Sequence, residues 1–302
     1  MKARLEYSLV WVILKFLGIL PRPVARWAAA AVARIFFAFL PRLHKTALFN
    51  LQLAFPEWSE AERARLIRKM IRNFGWMAAE FSRFPGYNKN NIEKIVVLDG
   101  HENFLAGHQR GKGVIYLTGH IGAWELSSFA HALYGFPLHY MARPLDNPLL
   151  DKMVNDYRGL SGNLPIYKNE SARVVLKVLQ AAGTIGILAD QNTMPSEGVF
   201  VDFFGQQAST TTGIARVALH TDAAVVPGYC AWDPSLRKYR LRFEPPVELV
   251  RTGEPDRDIL ENTQKFARTL EEIIRKVPEQ WVWVHARWKT RPPGERPIYE
   301  FL

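Results

Sequence analysis

One stretch brings together side chains suited to proton transfer. The run T-G-H-I-G-A-W-E, Thr118 to Glu125, follows the apolar stretch Val114–Leu117 and leads into a helical pattern. That order predicts a strand, a turn and a helix, with His120 just past the strand's carboxyl end. Open α/β sheets bind their ligands at that end. Glu125, five residues on, falls in the first turn or two of the helix, where its carboxylate can reach back towards the imidazole. A carboxylate on one ring nitrogen fixes the tautomer and raises basicity, and the other nitrogen is left to take a proton. Gly119 and Gly122 flank the turn and let the backbone approach a substrate. The competing reading is a capping histidine beside a surface glutamate.

A second polar pair, Asp190 and Gln191, ends the run G-I-L-A-D-Q at another predicted strand end. The segment from Pro195 to Gly205 sets Val199, Phe200, Phe203 and Phe204 beside Glu197 and Asp202; these apolar residues line either an acyl groove or ordinary core. Ser209 to Gly213 opens a helix whose free N–H groups would hold an anion or simply be capped. Arg143, Arg158 and Lys168 are candidates to pair with phosphate, though each alone is more often just a solvated surface charge. Rival chemistries are thin. The sequence has no G-x-S-x-G elbow, and G-L-S-G-N at Gly159–Asn163 lacks the second glycine. G-H-Q-R-G-K at Gly107–Lys112 is one residue short of a phosphate-binding loop and precedes its strand. His101, His108 and His120 lack zinc-protease spacing, so no metal is expected. Cys230, the sole cysteine, excludes a disulfide framework and reads as a buried strand thiol.

The elements that must position these residues follow from the hydrophobic pattern. Ser59 and Glu62 form a capping box that opens a long helix through Leu66, Ile67, Met70, Ile71 and Phe74. From Ile95, short apolar runs alternate with amphipathic helices. The predicted strands are Val114–Thr118, Leu138–Ala142, Leu164–Tyr167, Thr184–Ala189 and Val225–Ala231. Between and after them lie helices from Ala123, over Pro148–Leu160 and Ser171–Ala182, from about Thr212, and over Asp258–Val277. This alternation predicts an α/β fold with a mainly parallel sheet flanked by helices.

The 302 residues carry a net charge of +10, unevenly spread: residues 1–50 hold eight basic side chains against the single acid Glu6. Leu9–Leu20 is apolar except for Lys15 and is shorter than the roughly 20 residues of a spanning helix. After Pro21 and Pro23, Val24–Leu40 resumes as an apolar helix with Arg22, Arg26 and Arg34 in one sector and Trp27, Ile35, Phe36 and Phe39 on other faces. This suits a membrane interface with arginines at headgroups, the alternatives being a core-packing helix or a signal peptide. Lys15 and the Pro21-Arg22-Pro23 run argue against the last. The expected division is therefore a membrane-anchoring helical segment over 1–45 and a catalytic domain over 46–302. Nucleic-acid binding is disfavoured because the basic excess is interleaved with long apolar runs.

T-G-H-I-G-A-W-E, A-D-Q, P-S-E-G-V-F-V-D-F-F-G and P-E-Q-W-V-W-V-H-A-R-W-K (Pro278–Lys289), with N-L-Q-L-A-F-P-E at Asn50–Glu57, resemble the late acyltransferases of lipid A biosynthesis, within the lysophospholipid acyltransferase superfamily. The resemblance runs in order along nearly the whole chain. It implies a bacterial inner-membrane enzyme, active at the cytoplasmic face, that moves an acyl chain from a thioester of acyl carrier protein, or of coenzyme A, to a lipid A precursor without a bound cofactor. It maps the catalytic pair onto His120 and Glu125, an acceptor-binding element onto Pro195–Gly198, thus Glu197 and Gly198, and a recurrent arginine onto Arg158, after Arg143-Pro144. Ala123 stands where the family usually has Asn, and Ala286-Arg287 where it often has two arginines, so another glycolipid or lysophospholipid acceptor is the alternative. A non-catalytic membrane-binding protein on the same fold is the other. The expected mechanism is direct transfer: His120 as base, Glu125 stabilising the imidazolium, and backbone N–H groups near Gly119–Gly122 or Arg158 holding the oxyanion.

Overall fold

The structure, a computed structural model, describes residues 1–167 and 171–301; Lys168 lies outside the described residues. Four helices come first: α1 (Lys2–Ile19), α2 (Arg22–Ala38), α3 (Pro41–Ala54) and α4 (Glu60–Phe81). Prolines set the breaks between the first three. Pro23 lies in the first turn of α2 and Pro41 in that of α3, where the missing N–H forfeits no helical hydrogen bond. The capping box forms as the spacing predicts: the Ser59 backbone N–H donates to Glu62 Oε2 at 2.7 Å, and the Glu62 N–H donates to Ser59 Oγ at 3.3 Å.

The alternating region builds β1 (Val96–Asp99), α5 (His101–Gln109), β2 (Val114–Thr118), α6 (Trp124–Leu133), β3 (Leu138–Ala142), α7 (Pro148–Gly159), β4 (Leu164–Tyr167), α8 (Ser171–Gln180) and β5 (Thr184–Leu188). A hairpin follows, β6 (Gly198–Phe203) with β7 (Gln206–Thr211), then α9 (Gly213–Thr221), β8 (Ala224–Asp233), β9 (Lys238–Phe243) and α10 (Pro255–Lys276). Seven strands make one sheet in the order β1-β9-β8-β2-β5-β3-β4. Every pairing in it is parallel except β8 with β9. The expected mainly parallel sheet is thus present, and β1, β9 and the β6–β7 hairpin are elements that the sequence pattern leaves out.

The alternation of β2 separates two cores. Ile115 and Leu117 pack into a cluster with Ile185, Phe203, Leu270 and Trp283, and Val114 and Tyr116 into a second with Phe104, Leu126 and Phe129. With both faces covered, all five β2 residues are buried, which accounts for a continuous apolar run rather than an alternating one.

Helix α2 is bound to the body along α4. A Cβ on Gly75 would lie 2.5 Å from Ala30 Cα and 2.6 Å from Ala29 O, so only glycine lets the two backbones approach this closely. Two of the three arginines of that sector turn inward, and Arg34 stays exposed. Arg26 is 8% exposed, and Arg22 Nε donates to the buried Glu80 at 2.9 Å. Burial of Glu80 requires compensating charge, and these two guanidinium groups supply it. The outward face is aromatic instead, with Trp27 74% and Phe39 79% exposed. Among the described residues, 13 of the 23 large hydrophobic side chains that are exposed lie in the first 39 positions. No single helix there is long and apolar enough to cross a membrane; α2 and α3 together meet that requirement but are bent by 94°.

Candidate active site

The turns that follow β2 and β5, adjacent parallel strands, meet at the carboxyl edge of the sheet. There the Asp190 carboxylate grips the β2 turn twice: the His120 backbone N–H donates to Oδ2 at 2.8 Å, and His120 Nδ1 lies 2.9 Å from Oδ1. Trp281 Nε1 donates to Oδ2 at 2.7 Å. Gly119 makes room for this approach, since a Cβ there would stand 2.9 Å from Asp190 Cγ. Gly122, at φ +63°, packs against the Cys230 carbonyl. Both glycines therefore admit other parts of the chain, where the sequence suggested close approach to a substrate.

Asp190 is 1% exposed. Burial alone would raise its pKa, but the His120 charge and the hydrogen bonds from His120 and Trp281 outweigh that and hold it at about 2. Burial pulls the His120 pKa down; Asp190 first and Glu125 second reverse this, and the net direction is up. An ionised Asp190 accepts from Nδ1–H and leaves Nε2 as the free basic nitrogen. The Gln191 amide nitrogen lies 3.4 Å from each ring nitrogen. Trp124 meets the ring edge-to-face at 5.2 Å between centroids.

Glu125 occupies the first turn of α6, as its spacing predicts, but the carboxylate bonded to the imidazole is Asp190. Glu125 is instead clamped by Arg158 from the last turn of α7, with Nε to Oε2 at 2.8 Å and Nη2 to Oε1 at 2.6 Å. A planar guanidinium fits a carboxylate in this bidentate way, so the pair is rigid and 15–25% exposed at its side chains. Beside it a cleft opens between Tyr116, Leu138, Tyr140, Met141, Gly186 and Leu188.

Four backbone donors of the turn expected to hold an oxyanion are already used. His120 N–H donates to Asp190, Ile121 N–H to Gly119 O at 2.7 Å, Gly122 N–H to Gln280 O at 2.6 Å, and Ala123 N–H to Cys230 O at 2.8 Å. Arg143 is exposed beyond β3 and makes no hydrogen bond or ion pair among the described residues. Glu197 is exposed in the turn before β6, and the space above Gly198 is filled by Thr193 and Thr210. The aromatic run does not line a groove: Phe203 and Phe204 are buried against Trp281, Trp283 and Trp288. Ser209 to Thr211 belong to β7 rather than to a helix start, and Thr212 caps α9 without a side-chain bond. Among the described residues no group of three or more His, Cys, Asp or Glu could hold a metal.

Three residues of the P-E-Q-W-V-W-V-H-A-R-W-K run have a positional role that sequence reasoning missed. Trp281 holds Asp190. His285 Nε2 accepts the Asn192 N–H at 3.0 Å; burial, against the pull of Asp190, lowers its pKa to about 4 and keeps it neutral. Arg287, 1% exposed, donates to Ser209 O at 2.6 Å and Gln191 O at 3.3 Å, fixing the turn after β5. The available signal was a histidine and an arginine inside an otherwise apolar run, because polar groups buried there must find internal partners. Asn50 anchors the same run by donating to Trp283 O at 2.6 Å and His285 O at 2.7 Å.

The sequence model of the family described as bacterial lipid A biosynthesis acyltransferase matches residues 2–290. Among curated relatives, the lipid A biosynthesis lauroyltransferase of Escherichia coli (strain K12) is 27% identical over 96% of this chain and 92% of its own. The palmitoleoyltransferase of lipid A biosynthesis from the same organism is 26% identical over 97% and 95%. Its lipid A biosynthesis myristoyltransferase is 27% identical over 87% and 81%.

Proposed function

The chain belongs to the bacterial lipid A biosynthesis acyltransferase family, and we propose that it transfers a fatty acyl chain from an acyl carrier protein thioester to a hydroxyl of a lipid A precursor, at the cytoplasmic face of the inner membrane. The observation that carries this reading is the buried, ionised Asp190 on Nδ1 of a strand-end histidine. His120 Nε2 takes the acceptor hydroxyl's proton as its oxygen attacks the thioester carbonyl, and Asp190 stabilises the imidazolium. The tetrahedral oxyanion collapses, the carbon–sulfur bond breaks, and the imidazolium returns its proton to the departing thiolate. With the N–H groups of His120, Ile121, Gly122 and Ala123 occupied, the Gln191 amide beside the ring is the oxyanion donor. The Glu125–Arg158 clamp shapes the entrance to the cleft beside it, in which the donor's acyl chain lies.

The acceptor reaches His120 from the membrane. Ring contacts run without a break from exposed Phe36 through Phe37, Phe74 and Trp124 to His120, at 5.2–6.0 Å between centroids. The exposed apolar faces of α1 and α2 supply the membrane contact, with residues 1–45 as the anchoring segment and 46–302 as the catalytic part. The net charge of +10 suits an acidic carrier protein as donor.

The deciding experiment assays His120→Ala with acyl carrier protein thioester and a lipid A precursor. Transfer is expected to fall to background while the thermal midpoint holds, and near wild-type transfer would sink the assignment. Mass spectrometry of lipid A from a strain lacking the protein should show one acyl chain missing; unaltered lipid A with another lipid deprived of an acyl chain would move the acceptor to that lipid.

A further inference from the structure

A groove of about 550 Å³ runs between α2, α4 and the end of β8, and it shares no lining residue with the site around His120. Its floor is the ion-pair set already described, where Arg22 and Arg26 neutralise buried Glu80. Arg26 is also sandwiched between two indoles, its guanidinium carbon 3.7 Å from the Trp232 ring centre and 4.1 Å from that of Trp76. Three more arginines, Arg34, Arg72 and Arg237, line the groove and make no ion pair among the described residues. Arg72 also lies over Trp76, at 4.6 Å from the ring centre, and its Nε is buried with no hydrogen-bond partner.

Five guanidinium groups against one contacting carboxylate are a poor arrangement for stability alone. Burial, together with the Arg26 and Arg34 charges and against the pull of Glu279, lowers the Arg72 pKa. An anion entering the groove would relieve that repulsion. Arginines stacked on indoles are held in place and weakly hydrated, so they lose little on binding, and their planar forks match phosphate oxygens. The rim indicates what carries the phosphate. Trp27 borders the groove at 74% exposure, and Val24, Ile35 and Phe36 of the same helix are exposed beside it. A charged head in the groove and hydrocarbon on the adjoining face is the arrangement an amphiphile requires.

We propose that this groove is a binding site for the phosphate of an anionic lipid headgroup, which holds α2 at a membrane surface. The proposal rests on the membrane reading given above. The test uses the full-length protein and two kinds of vesicle: phosphatidylcholine alone, and equal parts of phosphatidylcholine and phosphatidylglycerol. Binding is followed by co-sedimentation and by the fluorescence of the groove tryptophans. Wild type should bind both vesicles, and the mixed ones more tightly. Arg34→Ala with Arg237→Ala, both at exposed positions that leave the packing intact, should weaken binding to mixed vesicles about thirtyfold, on the scale of two charges lost from an anionic surface. Adding Arg72→Ala should remove most of the remaining preference, while binding to phosphatidylcholine alone stays as in wild type. Lys112→Ala with Lys265→Ala removes the same charge outside the groove and should have little effect. Equal weakening by the groove and control variants overturns the site, as does binding of inorganic phosphate at the groove with vesicle binding indifferent to its arginines. Wild type that ignores both vesicles sinks the membrane reading as well; mixed-vesicle binding untouched by the groove arginines sinks this site alone.

Discussion

Two carboxylates flank the histidine, and they are held in opposite ways. Asp190 is sealed in the sheet edge, with an imidazole, an indole and a backbone N–H on its two oxygens. Glu125 stands at the rim of a cleft with both oxygens on one guanidinium. Donors fix Asp190 in place, and its charge acts on the ring it touches. Glu125 acts on His120 only through space, since its hydrogen bonds are spent on Arg158. The lesson is that sequence proximity to a histidine counts for less than access to one of its nitrogens.

Substitution at each carboxylate tests this contrast directly. Asp190→Asn should have the largest effect, reducing kcat by about 10²–10⁴ because the tautomer is no longer fixed and the imidazolium loses its counter-charge. The pH profile reports the same contact. With the His120 pKa raised, the acid limb of kcat/KM should lie above an ordinary histidine's, activity falling with pH as the base becomes protonated. In Asp190→Asn that limb should move to lower pH; an unmoved limb would assign it to another group. Gln191→Ala should cost about 10²-fold in kcat with little change in KM, the pattern of a donor used only in the transition state.

Glu125→Gln should have a smaller effect on kcat than Asp190→Asn and leave the acid limb less displaced; the reverse order would exchange the roles given to the two carboxylates. Gly186→Val, which narrows the cleft beside Glu125, should shift donor preference towards shorter acyl chains, read from competing thioesters of different length. The smallest effect on chemistry belongs to Trp281→Phe. It strips one donor from a buried charge and should lower stability by about 1–3 kcal/mol in denaturant unfolding. Asp190 also contributes stability that is present above its ordinary value of 3.8 and is lost as pH falls through about 2, so Trp281→Phe should advance acid unfolding to higher pH.

Much of this was legible in the chain. Strand β2, the capping box of α4 and the positions of His120 and Asp190 at strand ends follow from apolar runs, a Ser–Glu spacing and the turn between a strand and a helix. Strands β1 and β9 were not: the apolar run of β1 is only Val96–Leu98 before Asp99, and that of β9 is interrupted by Arg240 and Arg242.

What the sequence determined by itself is local: which segments are strands or helices, which of their faces are apolar, and which polar residues stand at their ends. Periodicity encodes a face and not the element that will cover it. Tertiary structure alone decided the partners. His120 met Asp190 across 70 residues, Asp190 met Trp281 across 91, and Glu125 went to Arg158 across 33. Arg22 turned inward to Glu80, 58 residues away, because a carboxylate buried in α4 needs a cation more than the surface does.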